Sequence, residues 1–176
     1  MMLQHKKGLL STTEMEILIS EYFDPRINLA VPNVSWGLGL HECDILILTK
    51  SGCAYEIEIK TSKSDLKADA KKYHGHFSKR IKRLYFAIPE YLGVQEMKKF
   101  IPNRAGILVA RWRKERWDGP EDIGNYIIEQ ERAAKENGAY KFNDRERYKM
   151  ARLGALRIWG LKKNITRMLH EKEEMK

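Results

Sequence analysis

Cysteine is scarce in this sequence. Its 176 residues include two cysteines, Cys43 and Cys53, so a disulfide framework is excluded and a reducing, intracellular setting is the simplest interpretation. Long apolar runs are also missing, because none approaches the ~20 residues of a transmembrane helix and residues 1–10 lack the apolar stretch of a signal peptide. Internal repeats are absent as well. We expect a soluble, cytoplasmic protein that has no membrane partner.

Negative charge is in short supply. The chain carries 33 Lys and Arg against 24 Asp and Glu, a formal net charge of +9, which predicts a polyanionic partner. The charge is segregated along the chain. Residues 1–59 hold four basic and eight acidic side chains, net −4, whereas residues 60–83 hold nine and two, net +7. This change from net negative to net positive charge falls between Ile59 and Lys60, within the motif Glu58-Ile59-Lys60, which is the most informative of the chain.

Sequence periodicity and turn residues predict an α/β fold. Ser11 and Glu14 have capping-box spacing, which predicts a helix over Thr12–Phe23, and two β-rich runs around Thr49–Gly52 predict a hairpin. The other predicted elements are a strand and turn within Asn28–Leu40, a lysine-rich helix over Ser64–Arg83, strands at Leu84–Pro89 and Gly106–Ala110, a short helix at Val94–Ile101, and helices at Glu121–Asn137 and Asp144–Leu169. We therefore predict one α/β domain over residues 1–110 and a basic helical C-terminal extension over residues 111–176.

The predicted hairpin brings carboxylates together. With its turn centred near Ser51, Asp44 falls opposite Glu58, and strand alternation places Glu56, Glu58 and Lys60 on the same face as Asp44. Paired carboxylates are suitable ligands for Mg²⁺, and a nearby lysine can orient or deprotonate an attacking water and offset phosphate charge. The pattern favours phosphodiester hydrolysis, and a solvated hairpin face with cross-strand ion pairs remains an alternative.

Asp44 followed by Glu58-Ile59-Lys60 resembles the signature of the PD-(D/E)XK nuclease superfamily. The predicted element order matches its restriction-endonuclease-like α-β-β-β-α-β core, a central mixed sheet flanked by helices. A longer series over about residues 40–110 is similar to the MmcB-like group of DNA-repair proteins, and comprises Glu56–Ser62, Asp65-Leu66, Asp69, Arg83–Pro89 and Ala105–Ala110. The resemblance implies that Asp44 and Glu58 are metal ligands, with the Ile59 carbonyl completing the site, and that Lys60 is the catalytic lysine. The implied cofactor is Mg²⁺, for which Mn²⁺ can substitute.

Many superfamily members recruit a glutamate from the first helix as a further ligand. On a helical wheel Glu14 lies about 90° from the apolar centre, whereas Glu16 and Glu21 lie nearer about 110°. Glu14 is therefore the predicted additional site residue, and Glu16 and Glu21 remain alternatives. A capping-box role for Glu14 is compatible with this function.

The basic block after Lys60 is the predicted DNA-binding surface, through contacts to backbone phosphates. Its candidate residues are Ser62, Lys63, Lys67, Lys71, Lys72, Tyr73, Lys79, Arg80, Lys82 and Arg83. N-capping by Ser64 or Asp65 also explains the polar residues at the helix start. His74-Gly75-His76 is a weak candidate for zinc, because no Cys/His cluster supports it.

Two further segments have open interpretations. Arg111–Trp117 interleaves basic residues and indoles, so Trp112 either stacks on unpaired nucleotides or packs inward at the end of a strand. The last helix is amphipathic, and it either docks on the core or forms a homodimer interface.

We predict a Mg²⁺-dependent deoxyribonuclease that acts in DNA repair, in recombination or in the processing of phage or mobile-element DNA. The alternative is a non-catalytic DNA-binding module on the same fold, and a structural role comes third.

Overall fold

A seven-stranded mixed sheet organises the described part of the chain. The computed structural model describes residues 5–34, 38–70, 76–114, 123–138 and 140–174. The strands are β1 (His5–Lys6), β2 (Leu29–Val34), β3 (Cys43–Leu48), β4 (Ala54–Ile59), β5 (Ile81–Pro89), β6 (Gly106–Lys114) and β7 (Ile123–Arg132), in the spatial order β1-β7-β6-β5-β4-β3-β2. The pairs β4–β5 and β5–β6 are parallel, and the other neighbours are antiparallel.

Four α-helices flank this sheet within the described ranges: α1 (Thr12–Tyr22), α2 (Lys63–Asp69), α3 (Val94–Met97) and α4 (Asp144–Glu174). Short 3₁₀ turns at Glu90–Leu92 and Lys98–Phe100 border α3. The order α1-β2-β3-β4-α2-β5 confirms the predicted α/β class with a mixed central sheet and a C-terminal helix. No described helix is both long and apolar enough to cross a membrane.

Helix α1 forms as the sequence predicts. The Ser11 side chain accepts a hydrogen bond from the Glu14 amide and the Glu14 carboxylate accepts one from the Ser11 amide, so the capping box is complete. Met15, Leu18 and Ile19 are buried on the sheet face that carries the odd-numbered isoleucines of the hairpin, Ile45, Ile47, Ile57 and Ile59. This helix therefore covers one face of the sheet.

The hairpin has the predicted register. Ile45 lies opposite Ile57 and Leu46 opposite Glu56, so partners follow the numbering expected for a turn centred near Ser51. Gly52 adopts a positive φ of 85° in that turn, a conformation in which other residues are strained. The confirmed register fixes which side chains of β3 and β4 share a face.

Two apolar clusters cover the other face of the sheet. The first joins Met150 and Leu153 of α4 to β2 and β3. The second joins Leu66 of α2 and Met97 of α3 to β5 and β6. Glu56 pairs with Leu46 of the first cluster on one side and with Leu84 of the second on the other, so the polar residues of β4 lie between the two clusters.

The predicted helix over Ser64–Arg83 is wrong beyond its first turns. Helix α2 ends at Asp69, Lys79 and Arg80 lie in a turn, and β5 begins at Ile81. The apolar run Ile81–Pro89 lies in parallel between β4 and β6, where its buried pairing outweighs the helical preference of the preceding lysines. Residues 71–75 lie outside the described ranges.

The predicted helix over Glu121–Asn137 is also wrong. Strand β7 pairs antiparallel with β6, which itself extends to Lys114, so the sheet runs across the predicted boundary at residue 110. Acidic residues of β7 face basic residues of β6, with Glu131 Oε2 2.7 Å from Arg111 Nη2. Trp112 is 9% exposed and its ring centre lies 5.0 Å from that of Tyr126, which confirms inward packing rather than a stacking surface.

Candidate metal centre

Asp44 and Glu58 meet at the open end of the β3–β4 hairpin. The β3–β4 ladder ends at the Ile45–Ile57 pair; continued by one residue, its register sets Asp44 opposite Glu58, and the charge of Asp44 raises the pKa of Glu58. Asp44 Oδ2 accepts a hydrogen bond from the Ile59 amide at 2.7 Å, which holds its carboxylate against β4. Asp44 is half-buried, whereas Glu58 is 3% exposed.

The surroundings of Glu58 disfavour the charged form of its carboxylate. Its burial and then the nearby charge of Asp44 raise its pKa to about 7. Its Oε1 atom is buried and has no hydrogen-bond partner. A buried carboxylate oxygen without a donor costs free energy unless a cation or proton compensates it, so this position suits a bound cation.

Lys60 joins two carboxylates. Its amide donates to the Ala87 carbonyl at 3.0 Å, and its Nζ atom lies 3.2 Å from Glu58 Oε2 and 3.2 Å from Asp69 Oδ1. Burial alone would lower the lysine pKa, but Glu58 and Asp69 outweigh it and raise the pKa above its ordinary value. The two carboxylates therefore favour the protonated ammonium form of Lys60.

His76 was not predicted as a central residue, yet it lies within this cluster and is 3% exposed. Its Nε2 atom lies 2.7 Å from Asp69 Oδ2, and its Nδ1 atom lies 2.9 Å from Glu56 Oε1 and 3.6 Å from Glu58 Oε1. Burial would lower the histidine pKa, but the hydrogen bonds to Asp69 and Glu56 raise it to about 9.

Glu56 connects two histidines. The same oxygen, Oε1, lies 2.7 Å from His41 Nε2 and 2.9 Å from His76 Nδ1. Burial would raise the pKa of this glutamate, which is 1% exposed, but these hydrogen bonds lower it. Its second oxygen, Oε2, is buried without a hydrogen-bond partner.

Among the residues that the structure describes, two sets of three could hold a metal ion. One is His41, Glu56 and His76, and the other is Glu58, Asp69 and His76, and in each set the ligand atoms lie within 4.8 Å of one another. Sequence reasoning missed these sets, because His41 and His76 are far apart in the chain and meet only across the folded sheet. The available signals were His76 within His74-Gly75-His76, already a weak candidate for zinc, and the position of Glu56, two residues before Glu58 on the same strand face.

On helix α1, Glu14 and Glu16 have different surroundings. The Glu14 Oε2 atom accepts hydrogen bonds from the amide and the hydroxyl of Ser11, both at 2.7 Å. Burial raises the pKa of Glu16, a hydrogen bond from Asn33 opposes this, and the charge of Asp44 contributes a further increase. Glu16 is thus close enough to Asp44 for their charges to interact.

The α2 part of the basic block lies next to this centre. Ser62 caps α2, and its hydroxyl accepts a hydrogen bond from the Asp65 amide at 3.2 Å. Lys63 and Lys67 are exposed on the helix. Lys63 Nζ lies 2.8 Å from Glu96, and Lys67 Nζ lies 5.4 Å from the centre of the Phe100 ring. The candidates Lys71, Lys72 and Tyr73 lie outside the described residues, as does His74.

The later part of the basic block faces the C-terminal segment. Arg80 pairs with Glu146 of α4, and Lys82 and Arg83 lie 3.3 and 2.8 Å from Glu136. Arg83 pairs with Tyr55 in the β4–β5 register, which is three residues and roughly 10 Å from Glu58 along the strand. The structure therefore brings Lys60 to the carboxylates but directs Arg80, Lys82 and Arg83 elsewhere. Lys79 is exposed in the turn before β5.

Comparison with known proteins supports the fold alone. A solved structure of the SPO1766 protein of unknown function from Silicibacter pomeroyi is similar, with a TM-score of 0.58 and 19% identity, over 90% of this chain and 93% of that chain. No protein-family model matches the sequence, and no curated protein matches it. Because one fold hosts many activities, function has to be argued from the geometry of the site.

Proposed function

We propose that this protein is a Mg²⁺-dependent nuclease that hydrolyses phosphodiester bonds in DNA. The observation that carries the proposal is the convergence of Asp44, Glu58 and Lys60 at one end of the hairpin, with a buried oxygen of Glu58 left without a hydrogen-bond partner. Two acidic ligands and an ammonium group are suited to such hydrolysis, because they can hold Mg²⁺ and stabilise the charge that develops on the phosphate.

The donor set fits a hard divalent cation. Asp44 and Glu58 would hold Mg²⁺, which supplies Lewis-acid stabilisation of the charge that develops on a phosphate. Asp44 is already oriented by the Ile59 amide. Glu16 lies close enough to Asp44 for the charge of Asp44 to raise the pKa of Glu16. We therefore assign the helix-derived acidic position to Glu16, while Glu14 completes the capping box. The carbonyl of Ile59 remains a candidate ligand.

Lys60 holds and orients the reacting groups. Its protonated Nζ atom, fixed by Glu58 and Asp69, is placed to donate a hydrogen bond to the attacking water or to a phosphate oxygen. Because Glu58 and Asp69 raise its pKa, Lys60 is suited to offset negative charge at the phosphate and to orient the attacking water.

The DNA backbone would bind along α2. This helix begins three residues after Lys60, and its exposed residues Lys63 and Lys67 are near Lys99, which is exposed beside the same Phe100 ring. Phosphate contacts from this face would position a strand over the carboxylates.

The direct test is cleavage of labelled single-stranded, duplex and branched DNA by the purified protein. We expect cleavage with Mg²⁺ or Mn²⁺, none with EDTA, and a loss of about 100-fold or more in Asp44→Asn and in Lys60→Met. Lys50→Met, an exposed lysine at the distal turn of the hairpin, is the matched control and should cleave normally. Cleavage at the wild-type rate by both Asp44→Asn and Lys60→Met would contradict the proposal.

A non-catalytic DNA-binding module is the second candidate. The observation in its favour is the burial of Glu58 and Lys60, which are 3% and 4% exposed, since a substrate phosphate has to reach them. DNA binding that persists in EDTA, without turnover on any of the three DNA forms, would support this second function.

A further inference from the structure

The strongest cluster outside the proposed nuclease residues surrounds Glu56. It contains two imidazoles and one carboxylate, drawn from the segment before β3, from β4 and from the segment before β5. The rings of His41 and His76 have centres 5.6 Å apart and an interplanar angle of 71°, so they are not stacked. Instead, His41 Nε2 and His76 Nδ1 both approach the same glutamate oxygen.

We propose that His41, Glu56 and His76 form a binding site for a first-row transition-metal ion of the Zn²⁺ class. Imidazole nitrogens favour such ions, whereas Mg²⁺ prefers oxygen ligands throughout. The site is therefore chemically different from the pair Asp44 and Glu58, and the proposal does not depend on nuclease activity.

The buried oxygen of Glu56 is the second observation for this site. Glu56 is 1% exposed, and its Oε2 atom has no hydrogen-bond partner. A metal ion between the two histidines and this carboxylate would compensate that oxygen. It would also replace the close contacts of 2.7 and 2.9 Å that both nitrogens now make to the other oxygen.

Asp69 supplies the outer-shell contact that metal-binding histidines usually have. Its Oδ2 atom lies 2.7 Å from His76 Nε2, which would leave the Nδ1 lone pair directed at the site. Glu58 Oε1 lies 3.6 Å from the same Nδ1 atom, so Glu58 is the available fourth ligand and would connect this site to the proposed Mg²⁺ site.

The surroundings provide enclosure and an entry path. The ring of Phe86 packs edge-on against His76, with centres 5.7 Å apart, and His76 is 3% exposed. The side chain of His41 is 19% exposed, so the ion would enter from the His41 side. A bound ion would join three chain segments and stabilise the fold.

The test is a Co²⁺ titration of the full-length protein, stripped with EDTA and then held in excess Mg²⁺. We expect visible d–d absorption bands that saturate, that excess Zn²⁺ abolishes, and that accompany a rise in melting temperature. His41→Ala should weaken Co²⁺ binding by about 100-fold or more, because it removes a direct ligand and the loss of an outer-shell partner alone typically costs about 10–100-fold. His170→Ala, an exposed histidine on α4, is the matched control and should leave the bands unchanged.

Asp44→Asn separates the two sites. The bands should persist in this variant, even though nuclease activity is lost. Absence of the bands in the wild-type protein, bands that His41→Ala does not weaken, or bands that Asp44→Asn removes would each overturn the proposal. Because His41 is the most exposed of the three ligands, its variant is expected to fold, and its melting temperature without metal checks this.

Discussion

Glu58 combines burial with a neighbouring negative charge, and these raise its pKa to about 7 from an ordinary 4.5. Between pH 4.5 and pH 7, Glu58 is protonated in the folded protein but ionised in the unfolded chain. The contribution of Glu58 to folding stability is therefore fully present below about pH 4.5 and is lost as the pH rises through 7. His76, with a pKa of about 9 against 6.5, acts in the same direction at higher pH.

We predict that Glu58→Gln flattens this dependence. In EDTA, Glu58 should lower the wild-type free energy of unfolding by about 2 kcal/mol between pH 5 and pH 7. The variant should lose much less, because glutamine resembles the neutral acid. Urea unfolding at the two pH values measures this difference. Glu171→Gln, exposed on α4, is the control, and a Glu58→Gln slope equal to that of the wild type would contradict the prediction.

A matched pair on α1 distinguishes a cap from a site residue. Glu14→Ala should cost about 1 kcal/mol of stability, because it removes the capping-box carboxylate, and should leave the cleavage rate unchanged. Glu16→Ala should lower the cleavage rate by about tenfold or more, because it removes the carboxylate near Asp44. Urea unfolding measures the stabilities and initial rates measure cleavage. If Glu14→Ala lowers the cleavage rate and Glu16→Ala does not, Glu14 is the helix-derived site residue and the assignment to Glu16 is wrong.

At the scale of elements, α4 has two different halves. Met150 is fully buried against β2 and β3, whereas Met168 is 55% exposed near the end of the same helix. We predict that Met150→Ala costs about 2–4 kcal/mol and Met168→Ala less than about 0.5 kcal/mol, as measured by urea unfolding. Equal costs would mean that the distal half of α4 is packed in solution.

The basic block also has two parts with different expected effects. We predict that Lys63→Ala combined with Lys67→Ala weakens DNA binding by about tenfold and lowers the salt dependence by about two counterions. Lys82→Ala should leave the affinity nearly unchanged, because Lys82 lies at the start of β5, beside Ala54 and Tyr55 of β4 and away from Glu58. Fluorescence anisotropy at several salt concentrations measures both, and a larger effect from Lys82→Ala would contradict the assignment of the DNA surface to α2.

The hairpin and α1 were predictable because their signals are local. Capping-box spacing and strand alternation act over a few residues, and the structure has both as expected. The segments 64–83 and 121–137 were misassigned because tertiary pairing decided them. The basic residues Lys82 and Arg83 resemble a solvated helix face in sequence, but they lie in a strand that is buried between two others.

At the scale of the whole molecule, the acidic residues before Lys60 and the basic residues after it have different surroundings. The acidic side chains of β4 converge with Lys60 and His76 in one buried cluster. Part of the following positive charge pairs with the C-terminal segment, through Arg80 with Glu146 and Lys82 with Glu136. Net charge thus predicted a polyanionic partner but could not show which basic residues are occupied within the fold.

The convergence of His41 and His76 could not be predicted either. Their meeting at Glu56 depends on where the segments before β3 and β5 lie relative to β4, which is a property of the assembled sheet. Asp44 and Glu58 were accessible to sequence reasoning because one short turn joins their strands.

The central claim is that Asp44 and Glu58 form a divalent cation site, and Mn²⁺ anomalous diffraction from a soaked crystal tests it most directly. We predict an anomalous peak between the two carboxylates in the wild-type protein and no peak there in Asp44→Asn. A second peak at His41, Glu56 and His76 is compatible with this result. A map without density between Asp44 and Glu58, in crystals where Mn²⁺ occupies other positions, would contradict the account.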